Sequence, residues 1–157
     1  MTLVVASSAA SGPGGFAASP LTPDTTFEGA KSSTGYLAKT DPTLLGKTSS
    51  APVNVILKYD FDSTASYTGG VDGLAATSPS ATGKSLKRNH GAVAAYEAYT
   101  GAVAGRISAD VEKAVPSAKV TATFQTVYGG AAATVPADSI STLLSLDGVV
   151  EIGRAHV

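Results

Sequence analysis

Cysteine and tryptophan are absent from the 157 residues, aromatic residues reach only 6% and charged residues only 15%. Zero cysteine excludes disulfide frameworks, thiolate zinc sites and Cys nucleophiles. The charged share is below the roughly 25% of ordinary globular chains. The net charge of −1, with both signs interspersed, leaves no basic face for nucleic acid and no acidic tail. No apolar run approaches the roughly 20 residues that a membrane-spanning helix needs. What the chain has in quantity is small residues: alanine, serine, threonine and glycine supply 80 of the 157. Few large side chains remain to fill a core, yet a 43% hydrophobic share argues against global disorder.

From Ser7 to Ser50 the composition is Ser, Thr, Gly, Pro and Ala with scattered charges and no sustained period. Residues 1–50 therefore read as a disordered, flexible leader. Within it, Met1 to Ala10 holds one short apolar stretch, Leu3 to Ala6, without a basic start. This is not an intact signal peptide; the small residues up to Ala10 read as the remnant of one if Met1 is an internal start. Strand alternation begins at Pro52 and runs to Tyr59, with Val53, Val55, Leu57 and Tyr59 facing one way and Asn54, Ile56 and Lys58 the other. Residues 60–88, rich in Gly, Ser and Thr, read as a long surface loop. Asn89 is the expected cap of a long helix whose apolar stripe is Val93, Tyr96, Tyr99, Val103, Ile107, Val111 and Val115, ending before Pro116. Beyond it the period returns to two. Val120, Ala122 and Phe124 share one face of a strand, Tyr128-Gly129-Gly130 supplies a turn or bulge, and Ala131 to Val135 is its hairpin partner. Pro136 opens a short helix facing inward through Ile140, Leu143 and Leu144, Asp147-Gly148 closes it, and Val149-Val150 begins a last strand. The order strand, helix, strand, strand, helix, strand predicts an α+β ferredoxin-like β-α-β-β-α-β sandwich, with an antiparallel four-stranded sheet and both helices on one face. Function does not follow from that fold.

Candidate chemistry is sparse. Thr82-Gly-Lys-Ser85 lacks the first glycine of a phosphate loop, since Ser78 stands there. Asp60, Asp62 and Asp72 do not have calcium-loop spacing. His90 and His156 are the two histidines, and no Gly-x-Ser-x-Gly elbow accompanies them. The expectation is a chain with no catalytic residues, no cofactor and no metal, and with neither nucleic acid nor membrane as partner. A ferredoxin-like domain binding a small ligand stays open as an alternative.

Four segments together resemble the propeptide, or peptidase-inhibitor, domain of secreted subtilisin-like serine proteases. They are Val53-Asn-Val-Ile-Leu-Lys58, the loop Ser66 to Pro79, Tyr128-Gly-Gly-Ala-Ala-Ala-Thr-Val135, and Leu143-Leu-Ser-Leu-Asp-Gly-Val-Val150. The Gly-rich loop and Thr40-Asp-Pro-Thr-Leu-Leu-Gly46 look most like the large multidomain subtilases of actinobacteria. Where the family often has a second aromatic after the glycine, this chain has Ala131. The resemblance implies a secreted pro-region over residues 51–151 that templates folding of a cognate subtilisin-like catalytic domain and then inhibits it. It also implies that the sheet packs on two surface helices of the protease, while the segment after the last strand enters the active-site cleft. Tyr128, Gly129, Gly130, Val149 and Val150 are the residues expected to face the protease. A freestanding inhibitor of such proteases is the alternative within the same resemblance. The Asp-x-Gly, His-Gly-Thr and Gly-Thr-Ser-Met segments of a catalytic domain are not in this sequence.

Ile152-Gly-Arg-Ala-His-Val157 departs from the family pattern and reads, residue for residue, as the translation of ATC GGA AGA GCA CAC GTC, the interior of a widely used short-read sequencing adapter. The expectation is that residues 152–157 are non-native and that the biological reading frame runs on past Val150 into a catalytic domain. Long-read sequencing of the parent locus checks this; a genomic stop after Val157 would contradict it.

Overall fold

The computed structural model describes residues 40–155. The expected leader and signal-peptide remnant over residues 1–39 lie outside the described residues, as does His156. Strand β1 (Pro52–Tyr59) leads through a long connection containing a one-turn helix α1 (Pro79–Thr82) into the 25-residue helix α2 (His90–Ala114). Strands β2 (Lys119–Phe124) and β3 (Gly130–Pro136), the short helix α3 (Ile140–Leu144) and strand β4 (Val149–Arg154) follow. The sheet order is β2-β3-β1-β4 with every neighbour antiparallel. This is the expected α+β ferredoxin-like arrangement.

One face of the sheet carries the core. Val55, Leu57 and Tyr59 of β1, Ala131, Ala133 and Val135 of β3, and Ile152 of β4 pack against Val103, Ala104, Ile107 and Val111 of α2 and Ile140 and Leu143 of α3. Alanine at two of the three inward positions of β3 lets the long helix lie close to the sheet. The helical stripe is realised, with Tyr96 and Thr100 joining Val103, Ile107 and Val111 among the buried residues of α2.

Five sequence expectations are corrected. Asn89 does not cap α2 with its side chain; a 3-10 turn, Leu86–Asn89, precedes the helix, Ser85 Oγ accepts from Arg88 N, and Asn89 Nδ2 instead donates to Ala76 O at 3.0 Å. Residues 60–88 are not a bare surface loop. Tyr67 stacks on Tyr96 with ring centroids 3.8 Å apart, Leu74 joins them in a second hydrophobic cluster, and Thr77 Oγ1 donates to Thr64 O. Pro136 ends β3 opposite Pro52, and a 3-10 turn, Ala137–Ser139, intervenes before α3. Of residues 40–50, which composition assigns to the leader, the stretch 40–45 lies against the domain: Leu44 is 1% exposed within the main core. The last strand also runs past the expected boundary at residue 151, with Ile152 fully buried opposite Leu57.

Candidate functional site

The strand Lys119–Phe124 alternates perfectly in sequence, which predicts Val120, Ala122 and Phe124 on the core face. Pairing with β3 breaks that phase. Val120 lies opposite Ala133 but Ala122 lies opposite Ala132, so the register slips by one residue at Thr121. A one-residue bulge sends every later side chain to the opposite face. Val120 stays against the core, whereas Ala122 and Phe124 emerge on the side that neither helix covers.

That outer face has one apolar row in its middle, with Lys119, Thr134 and Asn54 on one side of it and Lys58 and Glu151 on the other. One cross-strand row consists of Ala122, Ala132, Ile56 and Gly153, spanning all four strands, and the next of Phe124, Gly130, Lys58 and Glu151. None of Ile56, Ala122, Ala132 and Phe124 belongs to either hydrophobic cluster. Among the described residues, Phe124, Val127 and Tyr128 are the exposed large hydrophobic ones, Val127 at 82%. The loop Thr123 to Tyr128 also lines an open depression of about 400 Å³. Small side chains in the centre and aromatics at one rim suit the close approach of another protein's helix better than the binding of a small molecule.

The expected protease-facing residues do come together, but they divide by role. Strands β3 and β4 both start where β1 ends, so Gly130 lies opposite Lys58 and Val149 opposite Tyr59. Tyr59 N donates to Gly129 O and Asp60 N to Gly148 O, both at 2.9 Å, which ties the two strand starts to the end of β1. Tyr128 keeps its ring on the surface. Val149 and Val150 are 3% and 5% exposed and offer a partner almost no side-chain surface; Val149 packs in the main core, and Val150 falls at the register shift between β1 and β4. Gly129 and Gly130 are also buried. A Cβ at Gly129 would collide with the carbonyl of Phe61, and one at Gly130 with the carbonyl of Leu57 and, at 2.9 Å, with the Tyr128 ring. The two glycines are there because nothing larger fits. Residue reading missed Ile56, Ala132 and Phe124; the available signal was Ile56, the one apolar side chain out of phase in the opening strand.

Lys58 is the charged centre of this rim. Its Nζ donates to Tyr59 O at 2.8 Å and Phe61 O at 2.6 Å and lies 5.7 Å from the ring centroids of both Phe61 and Tyr128. Burial lowers its pKa, opposed by the nearby carboxylates of Asp62, Asp60 and Glu151. Tyr128 beside it is pushed up to about 12 by burial and by Glu151.

Burial likewise raises Tyr59, Tyr67, Tyr96 and Tyr99 above the ordinary 10.0. A raised tyrosine pKa means that the folded chain holds its proton while the unfolded chain has lost it. The associated stability is complete below about pH 10 and disappears as the pH climbs through the folded values. Lys58, with its lowered pKa, has the opposite sign, but it is a single group against five tyrosines. The urea midpoint is therefore expected to hold from about pH 7 to 9 and to fall steeply by about pH 11. Tyr96→Phe should flatten that fall, even though it loses the 2.8 Å bond from Tyr96 Oη to Asp62 O. Equal midpoints at the two ends of the range would contradict this.

The remaining candidates resolve into structure. Gly83 caps α1 in the left-handed region at φ 66°, its N–H bonded to Pro79 O, and Ser85 starts the next turn, so Thr82–Ser85 does not wrap into a phosphate cradle. His90 is exposed at the start of α2. Among the described residues no group of three His, Cys, Asp or Glu side chains is placed to hold a metal ion, and no helix is long and apolar enough to cross a membrane. No family model, no curated protein and no solved structure matches the chain.

Proposed function

We propose that this domain is the pro-region of a secreted subtilisin-like serine protease, assisting the folding of a catalytic domain and then inhibiting it. The observation that carries the reading is the uncovered outer sheet face, with an apolar centre built from Ala122, Ala132 and Ile56 and a rim that includes Phe124 and Tyr128. The four segments with the character of a subtilase propeptide support it. Two of them, Val53–Lys58 and Tyr128–Val135, supply most of that face. A small-residue surface allows a partner's helices to seat close to the strands, and a domain with few large core side chains gains stability from its partner by mass action.

Titrating the purified chain into a purified bacterial subtilisin tests the proposal. The sheet face is the contact on which the proposed affinity rests. Reversible inhibition in the micromolar range, worth about 8 kcal/mol, is expected. Full protease activity at a chain concentration of about 1 mM, where even a contact worth only about 4 kcal/mol would show, would contradict it.

A further inference from the structure

The segment before β1 makes contacts that an inert tether would not make. Asp41 Oδ1 accepts from Thr43 N at 2.8 Å and from Thr43 Oγ1 at 2.7 Å, fixing a 3-10 turn over Pro42–Leu44 that drives Leu44 into the core at 1% exposure. The same segment lies along the outer edge of β4. Asp41 N donates to Ile152 O at 3.1 Å, and Ile152 N donates to Thr40 Oγ1 at 3.3 Å, a hydroxyl standing where a neighbouring strand would present a carbonyl. Both contacts use backbone atoms of residue 152, so they do not depend on which side chain is there. After Leu45 the chain is exposed from Gly46 to Ala51. It is then held again where Asp138 N donates to Ser49 O and Ala137 N to Ala51 O, both at 3.0 Å.

An edge strand with free N–H and C=O groups is a template for pairing with another chain, and folded proteins cover such edges. Here the N–H and C=O of one residue, Ile152, both point outward. In an antiparallel ladder that is the geometry of a hydrogen-bonded pair, in which two residues exchange both bonds. Two copies of β4 running antiparallel would meet through Ile152 on a two-fold axis, each copy giving and receiving one bond. The pairing is carried by main-chain atoms, whatever side chains follow, and the contact closes on itself as a dimer.

We propose that residues 40–45 are a plug and strap that keeps the domain monomeric, and that releasing them turns the edge of β4 into a docking surface for a second copy of this chain. This goes beyond the outer-face reading, because it uses the edge of the sheet and not its face. The strap is held by Leu44, by Leu45 packed partly against the same core, and by main-chain contacts to β4, and it is joined to β1 only through the exposed residues 46–50, where a single cut separates it from the rest of the chain.

The test is the full chain carrying a sequence-specific protease site within residues 46–50, with mass by light scattering and fold by circular dichroism before and after cutting. The uncut chain is expected to be monomeric. After the cut, the N-terminal piece should separate and the remainder should form a concentration-dependent dimer. A cut chain that stays folded and monomeric, with the piece either lost or retained, overturns the proposal. Should the cut chain lose its fold or aggregate, the uncut Leu44→Ala variant decides. Hydrogen exchange at the Ile152 amide should speed up by about tenfold or more while the β2–β3 amides stay unchanged. Unchanged exchange at Ile152, or an equal rise across the whole sheet, overturns the strap.

Discussion

Replacing Gly130 by alanine should remove about 3 kcal/mol of stability, the upper end for overpacking a filled site. The added methyl has no free direction. On one side is the carbonyl of Leu57, fixed within the central strand pair, and on the other the Tyr128 ring at 2.9 Å. Backbone cannot yield as a flexible side chain can, so β1 and β3 must part or Tyr128 must leave the surface it covers. Gly91→Ala is the control, since a Cβ there meets nothing within 4 Å near the start of α2. Urea unfolding followed by far-UV circular dichroism should place Gly130→Ala far below the parent midpoint and Gly91→Ala at or slightly above it. Matching midpoints for the two variants would mean that the start of β3 is looser than described. The glycine in the aromatic-Gly-Gly segment is thus explained by a close approach of two strands, and the aromatic by the need to roof them.

The second large effect is on binding. Ala132→Arg places a long cation in the middle of the outer face, next to Ile56 and one strand from Ala122. A partner seated on that face must strip water from the new charge or stand off from the sheet, and the effect on inhibition of a subtilisin should be about 100-fold or more, equivalent to about 2.7 kcal/mol. Fold stability should hardly change, because Ala132 contributes to neither hydrophobic cluster. A thermal midpoint within about 2 °C of the parent is expected. Ile56→Asp should behave in the same way. Inhibition that survives both substitutions would remove the outer face from the account.

Much of this fold can be read from periodicity. The change from period two in Pro52–Tyr59 to the stripe Tyr96, Val103, Ile107, Val111, and back to two after Pro116, carries the element order, and the antiparallel four-strand sheet follows from it. Other features depend on long-range partners. The bulge at Thr121 is invisible because Lys119–Phe124 alternates without a fault; only pairing with β3 reveals that Phe124 faces outward. Tyr67 lies in a polar, glycine-rich stretch, and its stack on Tyr96 joins residues that no local pattern connects. Leu44 is buried, but two leucines among Ser, Thr and Pro are too short a signal to mark an ordered segment. At the candidate site, the expected residues Tyr128, Gly129 and Gly130 lie at the end of the sheet that carries Phe124 and Lys58. Sequence assigned Val149 and Val150 to the surface, because a valine pair at the start of a strand does not show which face the helices will cover.

The most direct test of the central claim is refolding in trans. A subtilisin catalytic domain is denatured, then diluted to native conditions with the purified chain, with the Ala132→Arg variant, or with neither, and the recovered protease activity is measured. The parent chain is expected to raise the yield of active protease well above the unassisted level, and Ala132→Arg is expected not to. Equal yields in all three reactions, with the parent chain folded throughout, would contradict it.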